Sequence, residues 1–152
     1  MKFTLPLIVV EDLEASKKFY GDILSQQVTL DLGDNVCFAG FAIQRNYEGL
    51  VGVKDFQVGP ASNDHELYFE EEDFDAFIAH LDACGDIRYL HRAKEYPWGQ
   101  RVVRFYDPDG HIIEVGESME SVFRRFAAEG MSVAEVAERT MHPVEFVKGC
   151  IG

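Results

Sequence analysis

The chain has 152 residues, of which 47% are hydrophobic, 27% charged and 12% aromatic, proportions that fit one globular domain with a sizeable core and exclude disorder. Its 14 Lys and Arg face 27 Asp and Glu, a net charge of −13, which argues against nucleic acid as a partner because phosphate binding draws on a basic face. The longest apolar run, residues 5–10, falls far short of the roughly 18 residues of a membrane span. Cys37, Cys84 and Cys150 are too widely spaced for a zinc knuckle or a redox pair, so a reduced, cytoplasmic protein without membrane association is expected.

In chain order, an apolar strand over residues 5–10 leads into a helix that Asp12 caps and whose buried stripe is Leu13, Ser16, Tyr20, Ile23 and Leu24. Strand-like segments follow over 28–32, 36–39 and 41–45, broken by turn chemistry at Gly33-Asp34-Asn35 and at Gly40. Residues 46–63, with Gly49, Gly52, Gly59 and Pro60, read as a linker. A second strand over 65–70 then precedes a helix capped by Asp73, with Phe74, Phe77, Ile78 and Leu81 along one face and Gly85 at its end. Strands over 87–91, 101–106 and 111–115 complete this half, the last two joined by Asp107-Pro108-Asp109-Gly110.

The two halves repeat. Glu11-Asp12-Leu13-Glu14-Ala15 returns 61 residues later as Glu72-Asp73-Phe74-Asp75-Ala76, and each half reads β-α-β-β-β. Such a unit leaves one sheet face to bury, and two units can bury each other's. The expected fold is therefore α+β: two paired βαβββ modules forming a curved mixed sheet around a cleft, with the functional site in that cleft. Domain boundaries follow at 1–116, as modules 1–45 and 64–116, and at 117–152 for a helical tail. In the tail, Met119, Val122, Phe123, Phe126 and Ala127 form an apolar stripe ending at Gly130. Ser132 with Glu135 forms a capping box, and Pro143 opens a last short helix. Two short helices around a tight turn have the outline of a helix-turn-helix, but six Glu outnumber Arg124, Arg125, Arg139 and Lys148 there, which argues against DNA.

Glu66-Leu67-Tyr68-Phe69-Glu70, the aspartate-started helix after it, Pro97-Trp98-Gly99-Gln100-Arg101 and Asp107-Pro108-Asp109-Gly110-His111-Ile112-Ile113-Glu114-Val115 together resemble the vicinal oxygen chelate superfamily. That superfamily includes glyoxalase I, bleomycin- and fosfomycin-resistance proteins and extradiol dioxygenases. The resemblance covers about residues 3–117 and identifies a fold better than a reaction.

It implies metal ligands on the first and last strand of each half, and matching the repeat to that pattern selects Leu5, Gln44, Glu66 and Glu114. Leu5 has no lone pair and no histidine joins the set, so a site would rest on the oxygens of Gln44, Glu66 and Glu114, suited to Mg or Mn. Glu114 interrupts an otherwise apolar strand, the sharpest local signal in the chain, although pairing with Arg101 or Arg104 would also explain it. Tyr68, Tyr96, Trp98, Arg101 and Arg104 are candidates to bind ligand, and alternation lets only one of the two arginines face it. His80 and His91 read as surface residues, and Cys37 and Cys84 as small core fillers. The expected function is binding of a small organic molecule in the cleft, with a lyase or isomerase reaction beside a carbonyl served by Glu114 and Glu66. The alternative is a metal-free protein that sequesters a drug or metabolite. The resemblance also implies a homodimer.

Overall fold

The structure is a computed structural model that describes residues 1–59 and 63–152. Pro60, part of the expected linker, lies outside the described residues. Two compact units emerge, one of Met1–His65 with Tyr106–His111, the other of Glu66–Phe105 with Ile112–Gly152.

The first unit follows the expected order: β1 (Leu7–Val9), α1 (Leu13–Asp22), β2 (Leu30–Asp31), β3 (Asn35–Cys37) and β4 (Ala42–Gln44). Its sheet runs β1-β4-β3-β2, with β1 parallel to β4 and the remaining pairs antiparallel. The Asp12 side chain accepts from the backbone N–H groups of Glu14 and Ala15, satisfying donors that a helix start leaves open. Leu13, Ser16 and Tyr20 are buried along the predicted stripe. The Tyr20 ring packs 4.9 Å from Phe41 and 5.6 Å from Phe38, an aromatic knot that ties helix to sheet. The linker contains a short helix, α2 (Tyr47–Val51), which Gly52 ends at φ +65°.

The second unit repeats the pattern with β5 (Glu66–Glu71), α3 (Phe74–Ala83), β6 (Tyr89–Glu95), β7 (Arg101–Tyr106) and β8 (Ile112–Glu117). Its sheet order is β5-β8-β7-β6, with β5 parallel to β8 and β6 antiparallel to β7. Along β5, Glu66, Tyr68 and Glu70 are exposed while Leu67, Phe69 and Glu71 turn inward. Phe74 and Leu81 of α3 are buried, and Asp73 caps this helix through the Ala76 N–H.

The tail forms α4 (Met119–Ala128), α5 (Val133–Thr140) and α6 (Val144–Ile151). Val122, Phe123, Phe126, Val136, Ala137 and Val147 make a cluster of their own from these three helices. Ser132 and Glu135 form the capping box in full. Cys37 and Cys84 are partly exposed and not core fillers; Cys84 Sγ lies 3.6 Å from His80 Nε2 at the end of α3. Among the described residues no helix is long and apolar enough to cross a membrane.

Candidate functional site

The register of the second sheet brings several of the candidate residues together. Tyr68 of β5 stands beside Glu114 of β8, and Glu66 beside Ile112, so Glu66, Tyr68 and Glu114 share the sheet face opposite α3. Arg104 of β7 lies on that face as well and is the hub of the cluster. Its Nε donates to Glu66 Oε2 at 2.9 Å and its Nη1 to the Tyr96 hydroxyl at 2.6 Å. Its Nη2 forms an ion pair with Glu114 Oε2, a buried oxygen with no hydrogen-bond partner among the described residues. Burial alone would pull the Arg104 guanidinium down, but the hydrogen bonds to Glu66 and Tyr96 outweigh it and hold the charge more firmly.

His91, expected as a surface residue, is Arg104's cross-strand partner and accepts from Nη1 at 3.2 Å. Its Nδ1 lies 2.9 Å from the Arg92 carbonyl, which can only accept, so the proton is on Nδ1 and Nε2 offers its lone pair to Arg104. The signal for His91 was the alternation of β6, but register shifts on both sides of it, between Tyr89 and His91 and between His91 and Lys94, scramble that count.

Arg101 takes the other face, and of the two arginines it is Arg104 that meets Glu66 and Glu114. Arg101 reaches Glu117 through Nε at 3.0 Å and Asp75 of α3 through Nη1 at 2.7 Å. Burial works to raise the Glu117 carboxyl, yet hydrogen bonds from Arg101 and Arg125 keep it below the usual carboxylate range. Arg101 thus ties α3 to the sheet, and Glu117 of β8 also accepts from Arg125 of α4.

Tyr96 and Trp98 stack with ring centroids 4.7 Å apart, and Trp98 Nε1 donates to Gln100 Oε1 at 3.2 Å. Gln100 in turn donates to the Tyr68 hydroxyl and to the Glu117 carbonyl, each at 3.0 Å. Gly116 makes this possible, since a Cβ there would sit 2.7 Å from Gln100 Nε2. The Tyr68 hydroxyl is pushed up to about 12, by burial first and then by its bond to Glu70.

Gln44 belongs to the first sheet, where its amide is satisfied by Asn35 Nδ2 at 3.0 Å and by donation to the Arg45 carbonyl at 2.6 Å. The first sheet's register pairs Leu7 with Ala42 as the second pairs Glu66 with Ile112, so the counterpart of Glu66 is Leu7 rather than Leu5. Leu7 lies five residues before Asp12 whereas Glu66 lies seven before Asp73, and counting back by the same number from each aspartate therefore overshoots β1. The first unit has its own cleft, of about 420 Å³, lined by Val9, Arg45, Tyr47, Asp109 and His111 among others. In the same unit His111 Nδ1 and the Tyr20 hydroxyl both meet the buried Asp107 carboxylate at 2.7 Å.

A divalent metal does not fit the residues present. The position between Glu66 and Glu114 is taken by the Arg104 guanidinium, the Gln44 amide is engaged elsewhere, and no group of three His, Cys, Asp or Glu side chains able to hold a metal ion occurs among the described residues.

The comparisons with known proteins agree with this architecture. The glyoxalase-like domain family model matches residues 3–120. The chain belongs to that family. Its membership in the vicinal oxygen chelate superfamily is thereby shown, while α5 and α6 lie beyond the matched segment. A protein of unknown function from Agrobacterium tumefaciens str. C58 is 39% identical, with a TM-score of 0.68 over 78% of this chain and 94% of that one. Lactoylglutathione lyase from Agrobacterium tumefaciens shares the fold at 22% identity and a TM-score of 0.60, over 78% of this chain and 95% of that one. The fosfomycin resistance protein FosX from Mesorhizobium loti does so at 16% and 0.56, over 77% and 92%. No curated protein is similar enough to count as a match.

Proposed function

We propose that this glyoxalase-like protein binds a small organic molecule on the Arg104 face of its second sheet and does so without a resident metal. One observation carries the reading: Arg104 is gripped by Glu66 and Glu114 together, so the chain supplies from its own side chains the positive charge that two facing carboxylates require. The aromatic shelf of Tyr96 and Trp98 beside that cluster provides flat apolar surface next to fixed polar groups, a combination suited to small-molecule recognition. Sequestration of a drug or metabolite is the function this arrangement supports best.

A second reading, proton transfer beside a carbonyl, rests on Glu66, the more exposed carboxylate of the pair and the one open to act as base. Glu66→Gln would abolish turnover in that case while leaving the fold intact. Homodimerisation and a cytoplasmic setting belong to the proposal as well; all three cysteines are free thiols, as a reducing compartment calls for.

The test is elemental analysis of protein purified without chelator and then exposed to Mn, Mg, Ni and Zn. Metal far below one ion per chain is expected. Near-stoichiometric metal that vanishes in a Glu66→Ala, Glu114→Ala double variant would overturn the reading. Arg104→Gln sharpens the test: it leaves Glu114 buried without its cation, at a cost of about 3 kcal/mol. Added Mn²⁺ should restore the thermal midpoint of that variant while leaving the parent protein unchanged.

A further inference from the structure

The turn between β6 and β7 carries the aromatic shelf. Its Tyr96 N–H donates to the Gln100 carbonyl at 2.9 Å and its Gly99 N–H to the Tyr96 carbonyl at 2.8 Å, which closes the turn around Trp98. Tyr96 and Trp98 stack within it, and the Tyr96 hydroxyl accepts from Arg104. Gly99, at φ +87°, brings no side chain of its own to hold the turn down.

The tail supplies that hold. Arg125 of α4 donates from Nη2 to the Gly99 carbonyl at 2.6 Å and to Glu117 Oε2 at 3.0 Å, and from Nε to Glu117 Oε1 at 3.3 Å. One guanidinium thus joins the turn to the buried carboxylate at the end of β8. The Phe126 ring lies where a Gly99 side chain would begin, and the Arg139 guanidinium of α5 sits 4.2 Å from the centroid of that ring. At the end of β6, Glu95 accepts from Arg139 Nη2 at 3.2 Å and pairs with Arg125 Nη1 at 3.5 Å. The helices therefore grip the hairpin at Glu95 and at Gly99, on either side of the stacked rings.

We propose that the helical tail is a clasp that holds the Tyr96–Trp98 shelf in its binding position, with Arg125 as the positioning residue, so that lifting the tail disables the binding face. The inference rests on the binding reading above and names how that site is regulated. Both grips run through Arg125, so they open together. The turn then carries Tyr96 with it, and Arg104 loses a hydroxyl acceptor. A planar fork is needed, because a lysine ammonium at this position is a point charge that cannot span the Gly99 carbonyl and both oxygens of Glu117.

Amide and indole hydrogen exchange, followed by NMR on the full chain without ligand, tests the clasp. The protons to follow are the Tyr96 and Gly99 N–H groups and Trp98 Nε1–H, the last donated to Gln100. Arg125→Lys keeps a positive charge beside Glu117, and it should speed exchange of these three about tenfold or more while the amides of β5 and β8 keep their rates. Arg139→Gln, at an exposed position, should speed the same three by a smaller factor. Arg101→Gln removes the other partner of Glu117 without touching the turn, and should leave the three as they are in the parent. A merely structural role for Arg125 would speed the amides of β5 and β8 by the same factor as those of the turn, and that result would overturn the inference. So would turn protons indifferent to both Arg125→Lys and Arg139→Gln, or as fast in Arg101→Gln as in Arg125→Lys. These failures are separate from failure of the binding reading: exchange in the turn does not depend on metal content, so stoichiometric metal would sink the metal-free reading and leave the clasp standing.

Discussion

Gly99 shows how much a single position can be asked to do. It holds φ +87°, a region that side chains rarely adopt, and a Cβ there would lie 2.2 Å from Phe126 Cζ. Gly99→Ala should therefore cost about 3 kcal/mol, read as a shift in the urea midpoint. His111 and Asp107 make a pH-dependent pair in the first unit. Burial lowers His111, but its bond to Asp107 raises it above the ordinary value, so its contribution is complete below about pH 6.5 and is lost as pH rises through the folded value. Asp107 is opposed by burial and brought below the usual range by His111 and Tyr20, so its contribution is present above about pH 3.9 and is lost as pH falls through the folded value. The pair is thus worth most between those limits. His111→Gln should flatten the decline in stability above about pH 6.5, checked by denaturant midpoints measured across that range. At this scale the sequence singled out Glu114, since a carboxylate in an apolar strand stands out, and the structure buries it against Arg104. It did not reveal which arginine meets it, because alternation separates Arg101 from Arg104 without saying which face carries α3.

At the level of elements, capping chemistry was the most legible layer. Asp12, Asp73 and Ser132 each begin the helix their position implies, because a side-chain oxygen before an apolar periodic run satisfies N–H groups that nothing else reaches. Ser132→Ala should cost α5 about 1 kcal/mol, visible as a lower thermal midpoint, and the loss should be smaller for Ser132→Asp. The helix inside the linker escaped notice for the converse reason. α2 spans five residues, Asn46 precedes it in the left-handed region at φ 53° without a side-chain cap, and so short a segment carries no period to read. β6 escaped in part as well: its bulges give it seven residues, Tyr89–Glu95, where alternation suggested an end at His91.

Over the whole chain, the repeat was legible because both halves obey the same alternation and the same capped helix, and each half forms its own four-stranded sheet. The tail was less so, since it has no counterpart in the repeat. Phe123 and Phe126 are buried in the tail cluster, and replacing either with Ala should cost about 3 to 5 kcal/mol in a denaturant titration. The net charge of −13 predicts that the protein leaves duplex DNA unshifted in a gel at low salt, where any basic surface would bind most strongly. The chain also labels one of its halves. Trp98 is the only tryptophan, and it belongs to the second unit, whereas tyrosines are found in both. Light absorbed by indole alone therefore reports on the second unit, and comparing its emission with far-ultraviolet circular dichroism during melting tells whether the two units give way together, with no label added.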